Sequence, residues 1–157
     1  MIVFNFDVVA RPAESLATRQ PDPDGRAIWG ALFEKYMGRI ILVCNDVYDR
    51  SQFMDWLKRE QFKASMLDFI DQTDPVLIAE SVHRIGSAAG RINWYVDNNP
   101  STCKETLKLG IPTLVVASPY ILRPEWGTDY KVKEWGNLVT EMETQALKSA
   151  EKTWRDE

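Results

Sequence analysis

Two nearly uninterrupted apolar runs constrain this chain most: IILVC, ending at Cys44, and TLVVA, ending at Ala117, each followed at once by polar residues. Short apolar runs bounded in this way suit strands buried on both faces, as in the centre of a parallel sheet with helices above and below. The runs extend to candidate strands at Arg39–Cys44 and Thr113–Ala117. Segments rich in β-branched and aromatic residues add Ile2–Phe6, Met66–Ile70 and Ile92–Val96. Helical periodicity fills the intervals. Arg26–Tyr36 places Ile28, Leu32 and Tyr36 on one face, Ser51–Glu60 gathers Phe53, Trp56 and Leu57, and Val76–Ala88 carries Ile78, Val82 and Ile85. Ser101–Leu109 stops at Gly110, and Lys133–Lys152 forms an amphipathic C-terminal helix with Trp135, Leu138, Met142 and Leu147. Strands alternating with helices imply βαβ units. The expected fold is therefore α/β, a Rossmann-like three-layer sandwich with a five-stranded parallel sheet. A length of 157 residues fits one domain spanning residues 1–157.

Composition narrows the functional classes. The net charge of −4 speaks against a broad nucleic-acid surface, which would be held mainly by Lys and Arg, but leaves room for a local basic patch. No apolar run reaches the ~18 residues of a membrane span. MIVFNFDVVARP, interrupted at Asn5 and Asp7 and lacking a basic leader, reads as a first strand rather than a signal peptide. Cys44 and Cys103 both fall in internal segments and are expected as free thiols in a reducing cytoplasm. The lone His83 cannot anchor a histidine metal cluster and reads as a helix residue.

Chemistry-bearing residues gather where the strands end. Asn5 and Asp7 close the first strand; Cys44, Asn45 and Asp46 the second; Asp97, Asn98 and Asn99 the fourth; and Ser118 the fifth. Taken singly, each cluster is a turn or helix cap. In a parallel sheet these ends all point the same way, which converges them on one crevice. Two long loops, Val8–Gly25 with Arg11, Arg19 and Arg26, and Ser118–Tyr130, leave from the same edge and should flank it.

The order of these segments resembles the haloacid dehalogenase (HAD) superfamily of phosphatases. IVFNFDVV is similar to its first motif, an apolar strand followed by Asp-x-Asp, with Asn5 at the first Asp and Asp7 at the second. IILVCND is similar to the second, with Cys44 at the Thr or Ser position and Asn45 next. NWYVDNNP is similar to the fourth, with Asp97 at the acidic metal ligand. The resemblance spans most of residues 1–118 through short motifs. It implies a magnesium-dependent phosphomonoesterase working through an aspartyl-phosphate. Asn5 and Asp7 would occupy the catalytic positions, Cys44, Asn45 and Arg84 would contact phosphate, and Asn5, Asp7 and Asp97 would surround Mg2+. A carboxylate is a competent nucleophile, a neighbouring carboxyl can shuttle a proton, and a hard cation suits phosphate oxygens.

Three positions depart from the pattern. Asn5 is an uncharged amide of nearly the same shape as the nucleophilic Asp, as in a substrate-trapping substitution or a natural loss of catalysis. Cys44 replaces a hydroxyl donor. The third-motif Lys has no match, leaving Lys63 or Arg84 to supply the charge. The intervals from Asp7 to Gly38 and from Asp46 to Pro75 are filled by an expected helix and strand, so no cap domain fits. In this family an open site goes with large substrates, and the expected partner is a phosphorylated small molecule or a nucleic-acid end, with Tyr120, Arg123 and Trp126 available for stacking. The alternative is a catalytically inactive module that binds a phosphorylated ligand. Another Rossmann-like domain loses ground because no G-x-G-x-x-G follows the first strand. A receiver domain loses ground for want of a placed acidic pair and Lys.

Overall fold

The computed structural model describes residues 1–116 and Gly136. Five strands, β1 (Ile2–Asn5), β2 (Ile40–Asn45), β3 (Met66–Ile70), β4 (Trp94–Asp97) and β5 (Thr113–Val115), form one sheet in the order β3-β2-β1-β4-β5. Every pairing is parallel. The expected Rossmann-like α/β sheet is therefore present, with β3 at its expected bounds and the other strands displaced at one or both ends by one or two residues. Apolar side chains alternate between two cores. Ile2, Phe4, Ile40 and Leu42 face one, while Val3, Ile41, Val43 and Tyr95 face the other.

Five helices join the strands: α1 (Phe6–Val9), α2 (Pro23–Lys35), α3 (Arg50–Arg59), α4 (Pro75–Ala89) and α5 (Pro100–Lys108). The anticipated face of α3, with Phe53, Trp56 and Leu57, lies in the first core, and that of α4, with Ile78, Val82 and Ile85, in the second. In α2 the fully engaged residue is Trp29, with Ile28, Leu32 and Tyr36 half-buried around it. Trp29 meets Phe4 and Phe62 edge to face, and Phe6 does the same against Phe53 and Trp56.

Helix starts follow a chemical rule. Asp22, Asp74 and Asn99 each accept a backbone N–H of the first turn of α2, α4 and α5, and each is followed by Pro at the first helical position. The cap satisfies orphan donors, while Pro forfeits an N–H that has no partner there anyway. Hence α2 begins at Pro23, three residues before the expected Arg26.

Val8–Gly25, expected as a long loop, is instead built structure. It contains the end of α1, a short 3-10 turn at Leu16–Thr18 and an antiparallel bridge between Ala10 and Pro21, and it runs into the first turn of α2. The proposed Ser118–Tyr130 wall, its residues Tyr120, Arg123 and Trp126, Ser118, and the Lys133–Lys152 helix lie outside the described residues, Gly136 excepted.

Candidate functional site at the strand ends

Strand order places the topological reversal between β1 and β4, where an open parallel sheet forms its ligand crevice. Register then decides which residues meet there. Phe4 lies beside Val96, so the next residues, Asn5 and Asp97, adjoin on the face of the second core.

They form a buried polar cluster. The Asn5 amide Nδ2 donates to Asp97 Oδ2 at 3.2 Å, to Gln72 Oε1 at 3.1 Å and, more weakly, to the Tyr95 hydroxyl at 3.4 Å. Asn5 Oδ1 accepts the Asp7 backbone N–H at 3.0 Å and so caps α1. Donors on one side and acceptors on the other fix the amide's orientation. Tyr95 donates its hydroxyl to the same Asp97 oxygen in a short hydrogen bond. The backbone N–H groups of Asn98 and Asn99 donate to Asp97 Oδ1 at 2.7 and 3.1 Å. Burial pushes the Asp97 carboxyl up to about 6, against the opposing pull of Tyr95 and of those two amides. Burial and the neighbouring Asp97 carboxylate push the Tyr95 phenol well above its usual value.

Asp7 stands one helical step beyond, with its side chain half exposed. Arg19 donates through Nη1 to Asp7 Oδ1 at 3.0 Å and to the Tyr48 hydroxyl at 2.8 Å. Its remaining bonds run to the carbonyls of Arg11 and Ala10, and its guanidinium lies over the Phe6 ring. Asn98 Nδ2 reaches back to the Asp7 carbonyl at 3.0 Å. Asn45 ends β2 on the neighbouring strand, where its Oδ1 accepts the Val47 N–H.

The remaining sequence candidates lie elsewhere. Asn5 pairs with Val43, so the next residue, Cys44, turns to the opposite face. Its thiol is buried in the first core, donates to Leu42 O, and is raised by burial and by Asp68. Arg84 sits nine residues into α4, about 13 Å along the helix from its first residue. There it donates to Ser81 and faces Asp68. Lys63 is exposed just before β3, at the other end of the sheet. Of the loop arginines, Arg19 is buried as a strap and Arg26 is drawn to Glu60 and the Phe62 ring; Arg11 stays exposed. An open concavity of about 270 Å³ lined by His83, Gly90, Arg91 and Gly110 also lies at the far end of the sheet, away from this chemistry.

Sequence reasoning missed Gln72, Tyr95 and the clamp role of Arg19, and placed Asn98 at this edge without its bond to the Asp7 carbonyl. Only Tyr95 carried a readable signal, standing two residues before Asp97 in the same strand and hence on the same face. Arg50, five residues past Asn45 in the first turn of α3, was also passed over; its guanidinium lies over Phe69 at this edge.

The donor set does not fit a divalent cation as it stands. A hard cation is bound by oxygen atoms, yet the residue at the first position presents an N–H to Asp97, and the Asp7 carbonyl already accepts from Asn98.

The sheet, its strand order and the polar crevice at its reversal make this a Rossmann-like α/β domain. No protein-family profile matches the chain, and no curated protein matches it. Among solved structures, a chain of the Pnkp1/Rnl/Hen1 RNA repair complex is similar at 12% identity with a TM-score of 0.60, covering 74% of this chain and 42% of that one. A chain of a second Pnkp1/Rnl/Hen1 complex is similar at 12% identity and 0.61, covering 74% and 45%. This chain thus spans less than half the length of either, and the likeness shows the fold. Among the described residues, no helix is long and apolar enough to cross a membrane.

Proposed function

We propose that this chain is a HAD-like, phosphatase-derived domain that binds a phosphorylated ligand, a nucleotide or a polynucleotide end, without turning it over. One observation carries the reading. Where the resemblance requires a nucleophilic carboxylate, Asn5 stands with its amide engaged by Asp97, Gln72 and Tyr95. An amide is a poor nucleophile toward phosphorus, and this one is held in a closed hydrogen-bonded cluster. Asp7, the residue the resemblance makes the proton shuttle, is paired with Arg19. Asn45 is the donor this reading assigns to phosphate, with Arg50 as the nearby cation in place of the missing third-motif Lys. The fold shared with a chain of an RNA repair complex favours a nucleic-acid end over a phosphopeptide.

Titration of the unaltered protein with a mononucleotide, a 3′-phosphorylated oligonucleotide, a phosphopeptide and inorganic phosphate tests the reading. The nucleotide ligands are expected to bind more tightly than phosphate, with no phosphate released. Steady release that Asp7→Asn abolishes would make the chain an active phosphatase, and binding of none of the four would end the reading. In the Asn5→Asp variant with magnesium, hydrolysis of an aryl phosphate is expected. Adding Asp7→Asn should then slow it about 10²–10⁴-fold, the usual contribution of a general acid–base group.

A further inference from the structure

The oxygens that would face a cation in a working site of this kind are those of residue 5, the Asp7 carbonyl and Asp97, and here each is met by an N–H. The Asp7 carbonyl accepts from Asn98 Nδ2. Asp97 Oδ1 accepts from the Asn98 and Asn99 backbones, and Asp97 Oδ2 from Asn5 Nδ2 and Tyr95. The Asn5 Nδ2 atom is itself surrounded by Gln72, Asp97 and Tyr95 oxygens at 3.1, 3.2 and 3.4 Å. From this pattern we infer that the amide hydrogens of Asn5 and Asn98 do the work of a divalent cation, so that the crevice keeps its shape and binds its ligand without metal. The proposed function enters only in the choice of those three oxygens.

The residue type at position 5 decides this. Asn5 Oδ1 is committed to the Asp7 N–H, so an Asp there would turn its second oxygen toward Asp97 Oδ2, 3.2 Å from the present nitrogen. Two buried carboxylates at that distance repel strongly, so the pair must share a proton or hold a cation between them. An Asn replaces the repulsion with a hydrogen bond. Asn98 acts in the same sense by satisfying the carbonyl that would otherwise face the metal.

The test uses magnesium alone, with the full chain, reading the unfolding temperature and the heat of titration. For the unaltered protein, neither millimolar magnesium nor EDTA should move the unfolding temperature, and titration should show no site. Asn5→Asp should unfold at least ~3 °C lower in EDTA, and magnesium should restore the loss. Should Asn5→Asp fail to fold in EDTA, refolding it with magnesium present gives the same comparison. The inference is overturned if magnesium stabilises the unaltered protein and Asp97→Asn removes the effect. It is equally overturned if Asn5→Asp matches the unaltered protein in EDTA and ignores magnesium. These outcomes are separable from the binding reading. Nucleotide binding that requires magnesium would sink the inference alone, whereas metal indifference with no ligand bound would sink the reading alone.

Discussion

Asp97 shows how much a single carboxyl can depend on its surroundings. It is fully buried, and its four partners hold it in place without offsetting the whole cost of removing its charge from water. Its proton is therefore held up to about 6, above the ordinary carboxylate value of 3.8. A group raised in the folded state binds its proton more tightly there than in the unfolded chain. Its contribution to stability is complete below about pH 4 and is lost as the pH rises through about 6. The Asp97→Asn protein lacks this loss. Relative to it, the unaltered protein should lose roughly 2–3 kcal/mol between pH 4 and pH 7, measured as urea unfolding free energies. Parallel pH profiles for the two proteins would show that Asp97 keeps its charge in the fold.

Among the elements, α2 best shows local chemistry meeting a tertiary demand. Its start is set by Asp22 and Pro23, but Gly25 is required by what lies across from it. A Cβ at Gly25 would sit 2.0 Å from the Val8 carbonyl oxygen and 2.8 Å from the Val8 carbonyl carbon, both backbone atoms that cannot swing away. That absence of a side chain lets the first turn of α2 press against the end of α1, which carries Asp7. Gly30, in the same helix, has open space around its α-carbon. The two glycines should therefore respond oppositely to alanine. Gly25→Ala is expected to cost about 2 kcal/mol or more through backbone displacement. Gly30→Ala should stabilise by about 0.5–1 kcal/mol through helix propensity. Thermal unfolding of the two variants checks this, and equal effects would mean that α1 and α2 can separate without cost.

At the scale of the molecule, Arg19 ties together parts that the chain keeps apart. One buried guanidinium joins the Ala10 and Arg11 carbonyls to Asp7 and to Tyr48, beyond the end of β2. The Arg19 carbonyl in turn accepts the Trp56 indole N–H from α3. The segment after α1 is thereby laced to the first core. Removing the guanidinium leaves the Ala10 and Arg11 carbonyls without their donor, which commonly costs about 1–3 kcal/mol for a buried group, while the half-exposed Asp7 can turn to water. Arg19→Ala should fall in that range and make residues 11–20 newly sensitive to limited proteolysis. Unchanged protection would mean that the Ala10–Pro21 bridge and the 3-10 turn hold the segment by themselves.

Hydrophobic periodicity determined the elements. Apolar runs and 3.6-residue spacing report the local path of the backbone, so the β-α alternation, the parallel sheet and the inner faces of α3 and α4 were legible in the residues alone. The shared edge of Asn5, Asp7 and Asp97 followed from the same alternation, because parallel strands present their ends together. Helix starts were legible to within a few residues, although the Asp22-Pro23 start of α2 was read three residues late, at Arg26. Tertiary structure alone decided which strand-end side chain faces which way. The Asn5–Val43 register sends Cys44 into the core, and the length of α4 carries Arg84 away from the crevice. It also decided that Arg19 is a buried clamp and that Asn5 bonds to Gln72 and Asp97, partners 67 and 92 residues away along the chain. Local pattern carries no record of such pairings, because register and long-range hydrogen bonds arise only when the packed layers bring distant segments to one place.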